Sequence, residues 1–120
     1  IHCVPSEIEQ VLLNLLRNAQ QALSDYQAQA SEGWHPRVQI HGRAVAGEVC
    51  LAITDNGPGI PDDIVPHIFE PFYTTKEVGQ GTGLGLSVSY FIITAHHQGR
   101  LSYRPGAHGG ACFELWLPRQ

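Results

Sequence analysis

Residues 6–24 carry apolar side chains along a single helical stripe, and that stripe limits what the chain can become. Ile8, Val11, Leu12, Leu15, Leu16, Ala19, Ala22 and Leu23 recur at i, i+3, i+4 and i+7 spacing, which predicts an amphipathic helix. Ser6, with Glu9 three residues on, has the pattern of a capping box. Residues 25–36 read as a polar loop or a frayed helix end. A one-sided helix needs a second layer, and the following segments supply strands. Val38 and Ile40 alternate with polar residues, as does "EVCLAIT" over 48–54, with Gly47 in the turn between. These predict an antiparallel pair. "PDDIVPHIFEPF" reads as a short helix ending before Pro71. "LSVSYFIITAHHQG" is an apolar helix with Gly99 as its C-cap. "RLSYRP" and "ACFELWLP" close the chain as a hairpin across "GAHGG". The order predicts an α+β fold: a two-layer sandwich whose mixed, mostly antiparallel sheet carries about three helices on one face.

A chain of 120 residues builds one core and not two, so residues 1–120 are read as a single domain. The opening "IHCVP" looks like the end of a strand cut from something longer, which suggests a domain excised from a larger protein. A net charge of −4 argues against binding DNA or RNA through phosphate contacts. No apolar run approaches the roughly 20 residues needed to span a bilayer, and no signal-peptide pattern opens the chain. A cytoplasmic location is expected. Cys3, Cys50 and Cys112 are odd in number, widely spaced and free of any C-x-x-C, as expected for reduced thiols buried as small hydrophobes. The seven histidines lack metal-ligand spacing.

Residues 79–89, "GQGTGLGLSVS", have glycine at every second position from Gly79 to Gly85. Such a stretch makes a poor strand and suits a backbone that turns sharply or approaches something closely. It is neither of the familiar phosphate loops: G-x-G-x-x-G fails in every register and no G-K-[ST] follows. Lys76, the chain's only lysine, lies just upstream. It reads either as a solvated surface lysine or as the cation of a phosphate clamp, where free N–H groups and a helix start favour an anion. Thr74, Thr75 and Thr82 offer hydroxyl donors. Asn14 and Asn18 sit side by side at the border of the buried stripe, where a mediocre helix former needs a reason. Either they bond neighbouring backbone, or an amide oxygen meets a hard ion such as Mg²⁺. Asp55 shares the strand parity of Val49, Leu51 and Ile53, so a carboxylate points inward at the end of an apolar row. It either caps its own turn or takes an outside donor such as the amino group of a base.

"EIEQVLLNLLRNAQQAL", "DNGPGI", "IFEPFYTTK" and "GTGLGLSVSYFI" resemble, in order, the N, G1, F and G2 boxes of the ATP-binding catalytic domain of two-component sensor histidine kinases. That domain belongs to the Bergerat, or gyrase-like, ATPase superfamily. "GGACFELWLP" resembles its closing strand, so the likeness covers essentially the whole chain, and "NLLRNA" and "FEPFYTTK" are similar to the nitrogen-regulation type. The resemblance implies ATP and Mg²⁺ as ligands. Asn18 would hold the Mg²⁺ and Asn14 would line the same wall. Asp55 would accept from the adenine amino group, with Gly57, Gly59 and Ile60 shaping the base pocket. Phe69 and Phe72 would anchor a lid over the nucleotide, with Thr75 and Lys76 on it. Gly81, Thr82, Gly83, Leu84 and Gly85 would meet the phosphates.

The resemblance also implies partners: an upstream dimerisation domain with the phosphoacceptor histidine, and indirectly the receiver domain of a response regulator. None of the seven histidines here stands in that context. Hydrolytic members of the superfamily carry a glutamate at the position of Asn14 as general base for water. Asparagine cannot take a proton, which fits transfer to an imidazole instead. Gln21 stands where many members carry a basic residue, so Arg17 or Lys76 would share that work. Ala111 replaces a threonine often found beside the base. The readings that compete with the kinase domain are a hydrolytic relative, marked by steady phosphate release, and a non-catalytic nucleotide-sensing or docking module.

Overall fold

The structure, a computed structural model, describes residues 3–73, 85–107 and 109–119. Helix α1 (Pro5–Gln27) begins where Pro5 supplies a helical φ and lacks the N–H that a first turn leaves unpaired. Val4 is its extended N-cap, with no side-chain cap bond. The Val4 carbonyl instead accepts from the amides of Glu7 at 3.0 Å and Ile8 at 3.1 Å. The expected capping box is therefore absent, since Pro5 puts Ser6 one residue inside the helix. At the other end α1 outlasts its expected limit because the Tyr26 ring packs edge-on against Trp34, 5.3 Å between centroids. Val11, Leu15, Ala19 and Leu23 are its buried row.

Strands β1 (Val38–Val45) and β2 (Glu48–Asp55) pair across Gly47, which takes a φ of +78° in the turn. Strands β3 (Arg100–Pro105) and β4 (Ala111–Pro118) form the second hairpin. The order is β1-β2-β4-β3, and every pair is antiparallel, so the expected mixed sheet has no parallel pair among its described strands. The opening residues Cys3 and Val4 are not strand, and Ile1 and His2 lie outside the described residues.

Among the described residues two helices, rather than about three, cover the sheet. The segment expected as a short helix gives only a 3-10 turn, Val65–His67, because Pro66 and Pro71 deny amides that an α-helical ladder needs. Helix α2 (Gly85–Phe91) continues into a π-helical turn, Ile92–His96. Gly99 is not the left-handed cap. Gln98 takes that conformation at φ +52°, and the Gly99 amide donates to Ile93 O at 2.8 Å. A Cβ on Gly99 would run into the Trp116 carbonyl oxygen, so glycine is needed there for close approach to β4.

The inner face of the sheet contributes Ile53, Leu101, Phe113, Leu115 and Leu117 to the core, against Val11 and Leu15 of α1 and Ile92 and Ile93 of the π-helical turn. The two helices run antiparallel. Asn14, midway along α1, bonds to Gly85 at the start of α2, while the end of the π-helical turn meets the start of α1. That second contact is made by two histidines. His97, 5% exposed, donates from Nδ1 to Ile92 O at 3.0 Å and accepts at Nε2 from the Val4 amide at 3.0 Å. A carbonyl only accepts and an amide only donates, so these bonds select one neutral tautomer. His96 bonds the Glu7 carboxylate at 3.0 Å. Cys50 and Cys112 are buried as expected, but Cys3 is exposed. Burial first, and the Glu114 carboxylate second, push the Cys50 thiol up from its ordinary value, which keeps it protonated and inert.

Replacing His97 by Phe preserves the ring but leaves the Val4 amide without its acceptor. Urea denaturation should find the variant less stable by about 1–3 kcal/mol; equal stability would show that this bond contributes nothing.

Candidate functional site

Strand β2 ends on Asp55, on the same face as Ile53 and only 7% exposed. Its Oδ1 accepts from the Gly57 amide at 2.9 Å and from the Ala111 amide at 3.3 Å. Both sequence readings are therefore compatible: one oxygen turns the chain, and Oδ2 has no partner among the described residues. The next residue, Asn56, went unnoticed in the sequence, although it stands inside the same "DNG" motif. It holds the preceding loop, donating to His35 O at 2.7 Å and accepting from the Arg37 amide at 2.7 Å, while Trp34 Nε1 donates to its carbonyl at 3.0 Å.

Small residues keep this corner open. A Cβ on Gly57 would meet Asp55 Oδ1 at 3.1 Å and Leu23 Cδ2 at 3.4 Å, so the loop lies directly on the last turns of α1. Gly59 turns with φ +76°. Gly110 has φ +63°, and a Cβ there would run into the Asp55 carbonyl oxygen. Its signal was the paired glycines before β4. The Ile60 amide donates to the Tyr103 hydroxyl at 3.2 Å, which fixes the far side of the loop to β3.

The opposite wall is α1. Asn14 and Asn18 are both half-buried and one turn apart. Asn14 Nδ2 donates to Ser89 Oγ at 3.2 Å and Gly85 O at 3.3 Å, and Ser89 Oγ donates to Gly85 O at 2.8 Å. Ser89, wholly buried, was also missed; a serine inside an apolar helix was the only hint. The Asn18 amide has no partner among the described residues. Gln21 donates to Asp25 at 2.9 Å, an intrahelical pair, and so turns along its own helix.

Phe69 is anchored, stacked on Tyr90 at 4.9 Å and edge-on to Phe113 at 6.5 Å. Phe72 is not: it is 74% exposed, with φ +66°, a left-handed backbone that costs an aromatic residue about 1–2 kcal/mol. Of the two phenylalanines, only Phe69 packs against the core. Thr75, Lys76, Gly81, Thr82, Gly83 and Leu84 lie outside the described residues.

Residues 3–120 match the family of histidine kinase-, DNA gyrase B-, and HSP90-like ATPases. The chain belongs to that family. Its nucleotide is accordingly ATP, and the corner between α1 and the 55–60 loop is the part of the fold that the box motifs mark. The sensor protein FixL of Bradyrhizobium diazoefficiens is 40% identical over 112 residues, 93% of this chain and 20% of FixL. Sporulation kinase E of Bacillus subtilis is 37% identical over 118 residues, 98% of this chain and 14% of that protein. The chain thus spans a fifth or less of these relatives. Among solved structures, the catalytic domain of histidine kinase ThkA in a nucleotide-free form superposes with a TM-score of 0.79 at 31% identity, over 97% of this chain and 69% of that one. The mycobacterial sensor histidine kinase MprB gives 0.76 at 28% identity, over 98% and 76%. Among the described residues no helix is long and apolar enough to cross a membrane.

Gly110→Ala should be among the costliest small substitutions in the chain. It combines a left-handed backbone with a clash on Asp55, so thermal or urea unfolding should show a loss of about 2 kcal/mol or more. An alanine variant of parental stability would mean that Asp55 and Gly110 are free to separate.

Proposed function

We propose that this chain is the ATP-binding catalytic domain of a sensor histidine kinase, a single domain that binds Mg–ATP and donates the γ-phosphoryl group to a histidine on a separate dimerisation domain. The phosphohistidine then supplies the receiver domain of a response regulator, in the cytoplasm where ATP is available. The observation that carries the choice of transfer over hydrolysis is the chemistry around Asn14. An amide cannot accept a proton from water, and this one donates to Gly85 O and Ser89 Oγ. Glu7, two turns towards the start of the same helix, is held by His96. Neither side chain is placed to act as a general base.

The residues present fit the nucleotide and its cation. Asp55 Oδ2, without a partner among the described residues, is the acceptor for the adenine amino group, and Gly57, Gly59 and Ile60 form the wall of the base pocket. The half-buried Asn18 amide oxygen is the protein ligand for Mg²⁺, a hard ion that keeps most of its waters and takes few side chains. When bound, the cation neutralises phosphate charge. The chain itself contributes orientation: α1 and α2 are tied through Asn14, which keeps the Asn18 wall opposite the start of α2 at Gly85. Gly81, Thr82, Gly83, Leu84 and Gly85 give backbone contacts to the phosphates, with Thr75, Lys76 and Phe72 on the covering segment.

The non-catalytic reading rests on Gln21 and Ala111. Ala111 donates its backbone amide to Asp55, a contact separate from the hydroxyl that a threonine would add.

Two substitutions test the assignment. Asn18→Ala should abolish the Mg²⁺-dependent part of ATP binding by titration calorimetry, with unfolding unchanged. Asp55→Asn keeps an acceptor for the Gly57 and Ala111 amides but can present an amide donor outward. It should move nucleotide preference from ATP towards GTP by about tenfold, the value of one exchanged hydrogen bond. An unaltered ATP-to-GTP ratio would remove Asp55 from the base pocket. Supplying a dimerisation domain should yield acid-labile phosphohistidine, whereas steady phosphate release by the chain alone would favour the hydrolytic reading.

A further inference from the structure

The helices cover only one face of the sheet, and the other face is basic. Strand alternation places Gln39, His41 and Arg43 of β1, Cys50, Ala52 and Thr54 of β2, Cys112, Glu114 and Trp116 of β4, and Arg100, Ser102 and Arg104 of β3 on this outer face. With Arg37 just before β1, it holds four of the chain's seven Lys and Arg residues but only two of its eleven Asp and Glu residues, Glu48 and Glu114. A chain of net charge −4 thus concentrates its cations on one surface.

The arginines are arranged rather than scattered. Arg43 and Arg100 lie over the Trp116 ring from either side strand, 5.2 and 4.7 Å from its centroid. Arg104 and Arg43 reach the nearly buried Glu114 carboxylate at 3.2 and 3.7 Å, and Arg100 pairs with Glu48 at 2.9 Å. At the other end of the face, Arg37, Gln39, Thr54, Arg104 and Cys112 line a cavity of about 270 Å³ that Asp55, whose Oδ1 is already taken by two backbone amides, also borders. The Arg37 guanidinium there has no ion-pair or hydrogen-bond partner among the described residues.

We propose that this outer face docks an acidic, extended segment of a partner protein, with a carboxylate side chain entering the cavity beside Arg37. Three observations select that occupant. Cations outnumber anions on the face by two, and guanidinium groups pair carboxylates in a fixed fork. Trp116 and the Arg37 cavity are four residues apart along β4, about 13 Å at strand rise, so one ligand touching both is a peptide of several residues rather than a small anion. A half-buried Trp flanked by Arg is the composition that dominates protein interfaces. Nucleic acid phosphates would be drawn to the same guanidinium groups, so an oligonucleotide is the competitor that the test must separate from the peptide.

The test is fluorescence anisotropy at low ionic strength with a labelled poly-glutamate peptide, a labelled poly-lysine peptide and a labelled oligothymidylate. Poly-glutamate should bind and poly-lysine should not, with affinity falling as salt rises. Arg37→Glu changes an exposed, unpaired side chain and should weaken poly-glutamate binding by about tenfold or more. Arg17→Glu, the same charge change on α1, should leave it within about twofold. ATP affinity of the Arg37 variant serves as the measure that the fold persists. The proposal is overturned by absent poly-glutamate binding, by equal loss in both variants, or by tighter binding of oligothymidylate. A salt-sensitive dimer in sedimentation that Arg37→Glu abolishes would overturn it in favour of a second copy of the chain.

Discussion

Everything at the mouth of this fold is organised around a carboxylate placed where water cannot solvate it. Removing an ionised carboxyl from water costs several kcal/mol unless donors replace the lost hydration. Asp55 meets that requirement locally: two backbone amides, from Gly57 on its own loop and Ala111 on the adjacent strand, converge on one oxygen. That convergence dictates the small residues around it. Gly57 lies flat on Leu23, and Gly110 must approach the Asp55 carbonyl more closely than any side chain permits. The same arrangement leaves the second carboxylate oxygen without a partner among the described residues.

The second organising element is the antiparallel pair of helices. α1 is a continuous amphipathic rod, whereas α2 is short and changes to π-helical geometry after Phe91. Polar bonds pin the two at both ends of their overlap. Asn14, Ser89 and Gly85 form one junction, and the histidine pair with Val4 and Glu7 forms the other. Because apolar packing is non-directional, these bonds give the pair its fixed register. They also connect the segment leading into α1 to the helix that begins beside the pocket.

The sheet divides the molecule into two chemically distinct surfaces. Its inner face is aliphatic and aromatic and lies under the helices from β2 to β3, leaving β1 exposed, while its outer face buries two thiols and a glutamate beneath arginines stacked on Trp116. The Asp55 corner and the basic outer face meet at the same end of β2. Thr54, Asp55 and Asn56 all border the outer cavity, and Asp55 also holds the Gly57 and Ala111 amides. A single strand end therefore serves both sides.

The sequence by itself determined the helix stripe, both hairpins, the α+β class and the identity of the polar residues at the corner. Each of those depends on local periodicity or on a short motif: the 3.6-residue row from Ile8 to Leu23, the alternation of β2, and "DNGPGI". What it could not determine was set by contacts between distant residues. Pro5 and the Val4–His97 bond, 93 residues apart, override the local capping box at Ser6. The turn at 65–67 stays short because two prolines deny it amides, and Gly99 is glycine because β4 passes against it. Asn56, Ser89, Tyr103 and Gly110 acquire their roles only when β4, β3 and α2 come to lie beside β2 and α1. The gathering of Arg37, Arg43, Arg100 and Arg104 likewise needs the β1-β2-β4-β3 order, which places strands distant in sequence on one face. Local patterning selects elements, but only their packing decides which polar groups share a neighbour, because the cost of burying each one depends on the partner it finds.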